Sequence, residues 1–124
     1  MTEPGVGPGW VRLAQAVAEE LPPGEVDGVW VFSPLRREGR EWGTAVLSRV
    51  DGDRRRIYTA RYVLAIRGKE RGKFEASVLE VGSGPAGALT QLVQEAQKRI
   101  DDEHPPVPVP PDTWFAATAD GPTR

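Results

Sequence analysis

The sequence predicts an α+β domain in which an N-terminal helix, a four-stranded antiparallel β-meander and a C-terminal helix packed on the sheet are followed by a proline-rich C-terminal arm. Two observations lead to this class. Four runs rich in β-branched and aromatic residues follow one another along the chain, and short segments containing Gly and Asp separate the last three runs. One segment with apolar residues at helical spacing lies before the four runs, and another lies after them.

Length and composition limit the possibilities. The chain has 124 residues, which suffice for one domain with one core. We expect a flexible N-terminus over residues 1–9, a single α+β domain over residues 10–104, and a proline-rich arm and tail over residues 105–124. The start of the chain lacks the basic and apolar parts of a signal peptide, and no apolar run is long enough to span a bilayer. We therefore predict a cytoplasmic protein with no membrane partner.

The first helix is predicted from Trp10 to Leu21, because apolar residues recur there every three or four positions and two prolines follow. The first strand is predicted within residues 26–33, VDGVWVFS. Val29 and Val31 point to one face of the strand, and Trp30 and Phe32 point to the other. We expect this strand to be central in the sheet or covered on both sides.

The next three strands form the predicted meander between Trp42 and Val81. The middle strand, residues 56–67, places two tyrosines and three aliphatic residues on one face, which we interpret as the core face. Arg61 and Arg67 then project from the opposite face. The outer surface of the sheet is therefore predicted to be basic and partly apolar.

A glycine-rich segment follows the last strand. Gly82 to Gly87 has the G-x-G-x-x-G spacing of a dinucleotide-binding turn, and it resembles the glycine-rich loop of S-adenosylmethionine-dependent methyltransferases. Such a turn belongs to a parallel crossover with another strand after the helix. Here PPVPVPP follows the helix, and proline lacks the N–H donor that a central strand requires. We interpret the segment as a strand-to-helix turn and expect no cofactor.

The second helix is predicted over residues 86–102, where apolar residues repeat at helical spacing and are expected to lie on the sheet. The arm beyond it should adopt extended polyproline geometry. Its adjacent aromatic residues, Trp114 and Phe115, either dock into an apolar gap of the domain or belong to a ligand for a partner's aromatic groove. Docking is favoured, because two large apolar side chains are costly to expose.

The charges are unevenly distributed. Residues 36–74 carry twelve basic groups against five acidic ones, whereas residues 1–35 carry one against five and residues 75–124 carry three against eight. Either the acidic flanks fold over the basic meander and neutralise it, or the basic residues face an anionic partner such as nucleic acid.

Residues with catalytic or metal-binding chemistry are scarce. Cysteine is absent, and the only histidine, His104, stands before two prolines at a predicted helix end. We therefore predict no catalytic residues, no metal site and no enzymatic activity. The predicted function is a small binding module that makes protein–protein contacts or forms a homodimer through the sheet; the alternative is single-stranded nucleic-acid binding on the basic sheet face. The candidate partner-binding residues are Trp42, Arg49, Arg54, Arg55, Arg56, Arg61, Arg67, Trp114 and Phe115.

Overall fold

A computed structural model describes residues 7–100 and 105–120 of the chain, with the side chains of the last segment described as far as residue 116. The last two residues of the predicted second helix, 101 and 102, and His104 lie outside these residues. The described part contains three helices and one sheet of six strands. The α+β class is confirmed, and the sheet has two strands more than the predicted four-stranded meander.

The helices are α1 (Pro8–Glu20), α2 (Leu89–Lys98) and α3 (Pro111–Asp120). None of the helices in the described residues is long and apolar enough to cross a membrane. The strands are β1 (Val26–Val31), β2 (Leu35–Arg37), β3 (Arg40–Asp51), β4 (Arg54–Ala65), β5 (Phe74–Pro85) and β6 (Val107–Val109).

The strands lie in the order β5-β4-β3-β1-β6, and β2 pairs with the start of β3 beside this path. Each pair is antiparallel. Gly39 and Gly52, both at positive φ, form the tight turns before and after β3. The end of β5, from Gly82 to Pro85, runs through a 3-10 turn at Ala86–Ala88 into α2. The glycine-rich segment is thus a strand-to-helix turn in an antiparallel setting.

One face of the sheet, here called the front face, packs against α1 and α3. The apolar stripe of α1, including Leu13, Ala14 and Val17, is fully buried on it. Alternate residues of three strands supply the other side of this core. The buried front-face side chains of β1, β3 and β4 are Val29, Val31, Ala45, Leu47, Tyr58, Ala60 and Tyr62.

On the opposite face, here called the back face, α2 is the one helix of the described residues that packs on the sheet. Val93 and Ala96 of α2 pack on Phe32, Val46 and Ile57, and Trp30 joins this second core at its edge. The valines and the aromatic residues of β1 and its C-terminal extension therefore belong to different cores. The predicted cover on both sides of this strand is confirmed.

The proline-rich arm is part of the fold. Instead of an extended polyproline strap, its first segment forms β6, which pairs with the free edge of β1. The chain then turns into α3, which places Trp114 in the front-face core with 2 % of its surface exposed. Phe115 is half-buried and contacts the Trp114 ring edge-to-face at 5.1 Å. The predicted docking of this pair is what the structure shows.

Candidate interaction surface

A helix of ten residues, such as α2, is about 15 Å long and cannot cover the back face of this sheet. Half of that face remains open beyond it. Strand register places Trp42 beside Val63 and Thr44 beside Arg61. It places Glu75 and Ser77 of β5 next to Val63 and Arg61 respectively. These six residues, with Leu35 and Leu79 at the margins, are called the open half of the back face.

The open half contains a shallow groove of about 310 Å³. Apolar side chains border the groove without cover from any helix in the described residues. Leu79 exposes 66 % and Leu35 exposes 52 % of its surface, and Trp42 and Val63 between them are half-buried. A sheet face that combines an aromatic ring with exposed aliphatic side chains is typical of a contact surface.

Arg61 is exposed at the centre of this surface and lines the groove together with Trp42. In the part of the chain that the structure describes, no carboxylate forms an ion pair with it. Of the nine predicted partner-binding residues, these two alone come together on the open half.

Three of the other predicted arginines are neutralised within the chain. Arg49 donates to Glu25 Oε1 at 2.8 Å and to the Tyr58 hydroxyl at 3.4 Å. The hydrogen bonds to Tyr58 and Glu25 raise the pKa of Arg49 above its usual range. Arg56 donates to Asp51 and Glu80, each at 3.2 Å, and these hydrogen bonds likewise raise its pKa.

Arg55 is buried below the start of α2. Its Nε donates to the carbonyl of Ala86 at 2.7 Å, and its Nη1 donates to Ser48 Oγ at 2.7 Å and to the carboxylate of Asp27. Through hydrogen bonds to these three acceptors, the planar guanidinium of Arg55 joins the 3-10 turn before α2 to β1 and β3. Arg55 is therefore a structural residue in the described fold.

The remaining predicted residues lie away from the groove. Arg54 is exposed and donates weakly to Ser83 Oγ at 3.5 Å. The side chain of Arg67 lies along Gly39 in the neighbouring hairpin. Trp114 and Phe115 belong to the front-face core, so their availability to a partner is limited by the docking of α3.

A buried polar cluster lies on the front face, on the other side of the sheet from the groove. The Tyr62 hydroxyl donates to Glu41 Oε2 at 2.6 Å, and Arg36 Nε donates to Glu41 Oε1 at 2.7 Å. Tyr62 is 1 % exposed and Glu41 is 7 % exposed. Burial, reinforced by the hydrogen bond to Glu41, raises the pKa of Tyr62 above its ordinary value of 10.0.

The Tyr62 ring fills a space created by two glycines. A Cβ at Gly43 would overlap Tyr62 Cε2, and a Cβ at Gly9 would overlap Tyr62 Cε1. Trp10 contacts the ring edge-to-face and Phe74 stacks on it. Helix α1 and strands β3, β4 and β5 therefore meet at this tyrosine.

No group of three or more His, Cys, Asp or Glu side chains among the described residues is placed to hold a metal ion. Comparison of the chain with protein families, with curated proteins and with solved structures finds no match.

Sequence reasoning missed several residues of the open half, chiefly Leu35, Leu79 and Ser77. A signal existed for Val63, because the alternation along β4 places it on the same face as Arg61. The same alternation along β5 separates Leu79 from Val78, which packs on the front-face core. For Leu35 the sequence contains no comparable signal, because β2 has only three residues.

Proposed function

We propose that this chain is a small, non-enzymatic binding module that makes protein–protein contacts through its sheet, first of all with a second copy of itself. The observation that carries the proposal is the open half of the back face. It exposes apolar side chains on a regular sheet, while α1 and α3 pack on the front face and α2 packs on the other half of the back face.

The distribution of ion pairs supports a protein partner over a polyanion. Glu25 and Asp27 from the acidic N-terminal flank pair with Arg49 and Arg55. These arginines are already satisfied, so their binding to phosphates would require breaking contacts within the chain.

The oligomeric state tests the proposal directly. We expect light scattering to give a dimer for the wild-type chain. We expect the double variant Leu35→Glu, Leu79→Glu to dissociate at least tenfold more readily, because both side chains are exposed and the substitution introduces charge into the contact. Val107→Glu is the matched control, since Val107 is also an exposed aliphatic residue but lies on β6. A monomer at high protein concentration would contradict self-association.

Single-stranded nucleic-acid binding remains the second candidate, because Arg61 and Trp42 line one groove and could meet a phosphate and a base. It requires affinity for an oligonucleotide that falls steeply with added salt and is lost in Arg61→Ala. Fluorescence anisotropy at low salt measures this. No change in anisotropy would exclude it and would leave the protein-contact proposal standing.

A further inference from the structure

The two edges of the sheet differ sharply. At one edge lies β6, which has three residues and is interrupted by Pro108 and bordered by Pro106 and Pro110. Short strands and prolines prevent further strand pairing. At the other edge lies β5, which has twelve residues and, among the described strands, pairs only with β4. The outer side of β5 is therefore a long edge without prolines until Pro85.

Backbone geometry shows which residues of β5 direct their hydrogen-bonding groups outward. The N–H of Ala65 donates to the carbonyl of Lys73 at 2.9 Å. In an antiparallel pair, hydrogen-bonded residue pairs alternate with pairs whose N–H and C=O groups point away. Glu75 and Ser77 therefore bond to β4. The outward groups belong to Phe74, Ala76, Val78 and Glu80.

We propose that two copies of the chain pair their β5 strands antiparallel at this edge, around a twofold axis at Ser77. The proposal rests on the proposed function and specifies its partner and its geometry. The two sheets would join into one continuous sheet, and the two open halves would become neighbours.

The register follows from the regular part of β5. Tyr58 pairs with Glu80 but Ile57 pairs with Gly82, so Val81 is the extra residue of a β-bulge. The regular segment thus runs from Phe74 to Glu80, and its middle residue is Ser77. A twofold axis at Ser77 is the one that pairs this whole segment with its copy.

Charge complementarity favours the same register. It places Phe74 opposite Glu80 of the partner subunit, on the front face. The guanidinium of Arg12 lies over the Phe74 ring, 4.2 Å from its centroid. The incoming Glu80 carboxylate, which keeps its ion pair with Arg56 of its own chain, would therefore meet a second cation. Glu75 would face the partner subunit's Leu79, so no two like charges stand opposite each other.

One test removes a backbone N–H of β5 that points outward, toward the proposed partner strand. In Ala76→Pro the lost N–H points away from β4, and Ala76 is exposed, so the ladder to β4 is kept. We expect Ala76→Pro to be monomeric in light scattering at concentrations where the wild type is dimeric. Ala76→Val keeps the N–H and is the matched control, expected to remain dimeric. A dimer of unchanged stability in Ala76→Pro would overturn the inference.

A second test does not depend on tolerance of proline. The chain contains no cysteine. A disulfide formed by a single introduced cysteine therefore shows that this position lies close to its counterpart in the second copy, because no native cysteine can react. Odd-numbered residues of the regular segment would face each other in non-hydrogen-bonded pairs, about 4.5 Å apart at Cα, which suits a disulfide. We expect Ser77→Cys to cross-link to its own copy on mild oxidation. Glu75→Cys and Leu79→Cys should cross-link when mixed, and not when each is alone. Self-cross-linking of Leu79→Cys without that of Ser77→Cys would overturn the register.

The outcomes separate this inference from the proposed function. Suppose that the dimer survives Ala76→Pro but is lost in the double glutamate variant. Association would then use the open half face to face, and the β5 inference would fail while the proposed function stands. A monomer in every variant and in the wild type would remove both the β5 inference and the self-association of the proposed function.

Discussion

At the scale of single residues, Tyr62 and Glu41 form a buried hydrogen bond between adjacent strands. Replacing Tyr62 by Phe leaves one oxygen of a buried carboxylate without its donor. We expect Tyr62→Phe to lower the free energy of unfolding by about 1–3 kcal/mol in urea titrations. Tyr58→Phe is the control, because Tyr58 is also a buried residue but its hydroxyl takes part only in a long bond with Arg49. Equal losses in the two variants would contradict the special role of Glu41.

The same tyrosine predicts a dependence on pH. Its pKa in the folded state is raised above the ordinary value of 10.0, which the unfolded chain keeps. The stability that this shift contributes is therefore complete below pH 10 and is lost as the pH rises beyond it. We expect the wild-type unfolding free energy to fall more steeply above pH 10 than that of Tyr62→Phe. Parallel curves for the two proteins would show that Tyr62 does not carry the shift.

Gly43 tests the packing around the same ring. A methyl group at Gly43 would overlap the Tyr62 ring, and the ring is confined by Trp10 and Phe74. We expect Gly43→Ala to destabilise the protein by about 1–3 kcal/mol or more. Gly82→Ala is the matched control in a strand, because nothing lies within 4 Å of its added Cβ. We expect a change within about 0.5 kcal/mol there.

At the scale of single residues, the sequence could predict on which face of a strand each side chain lies. Alternation along β4 placed Tyr62 on the core face and Arg61 on the outer face, as observed. It could not predict that Glu41 is buried, because a carboxylate is buried where other groups satisfy it, and one of the two here is the Tyr62 hydroxyl from the next strand. It could not predict why Gly43 lacks a side chain, since that depends on a ring from the next strand.

At the scale of elements, Arg55 connects the start of α2 to the sheet through three acceptors. Lysine keeps the charge but not the planar fork, so we expect Arg55→Lys to cost about 1–3 kcal/mol in chemical denaturation. Arg54→Lys alters the neighbouring arginine, which is exposed and has one long contact. A change within about 0.5 kcal/mol is expected for that control. Similar losses for both arginines would contradict the connecting role of Arg55.

The long elements were predictable and the short ones were not. The four main strands and the first two helices have enough residues to show a period of 2 or 3.6. Strands β2 and β6 have three residues each, and β6 is rich in proline, so neither shows a pattern. They exist because an already formed neighbour, β3 or β1, offers an edge for pairing. The extent of the open half could not be predicted from the sequence either, because it depends on where α2 ends relative to the sheet.

At the scale of the whole molecule, the chain folds its acidic N-terminal flank against part of its basic meander. Glu25 and Asp27 reach Arg49 and Arg55, and acidic residues of the meander and of β5 reach Arg56. Counting charges along the sequence raises the question of whether the acidic flanks neutralise the basic meander or leave it to an anionic partner, but the count alone cannot answer it. Among the described residues, five of the twelve basic residues between positions 36 and 74 pair with carboxylates, so the cations available to a polyanion are fewer than the sequence suggests.

Self-association through β5 should also appear in thermal unfolding. When a dimer unfolds to separate chains, a tenfold increase in protein concentration adds about 1.4 kcal/mol of stability per dimer. For a dimer of two such chains, roughly 250 residues, that corresponds to a rise in Tm of about 3 °C. We expect this rise in the wild type and in Ala76→Val, followed by scanning calorimetry over a hundredfold range of concentration. Ala76→Pro should melt at one temperature throughout, because its folded state has no partner to lose. A concentration-dependent Tm in Ala76→Pro that matches the wild type would mean that the copies meet elsewhere than at β5.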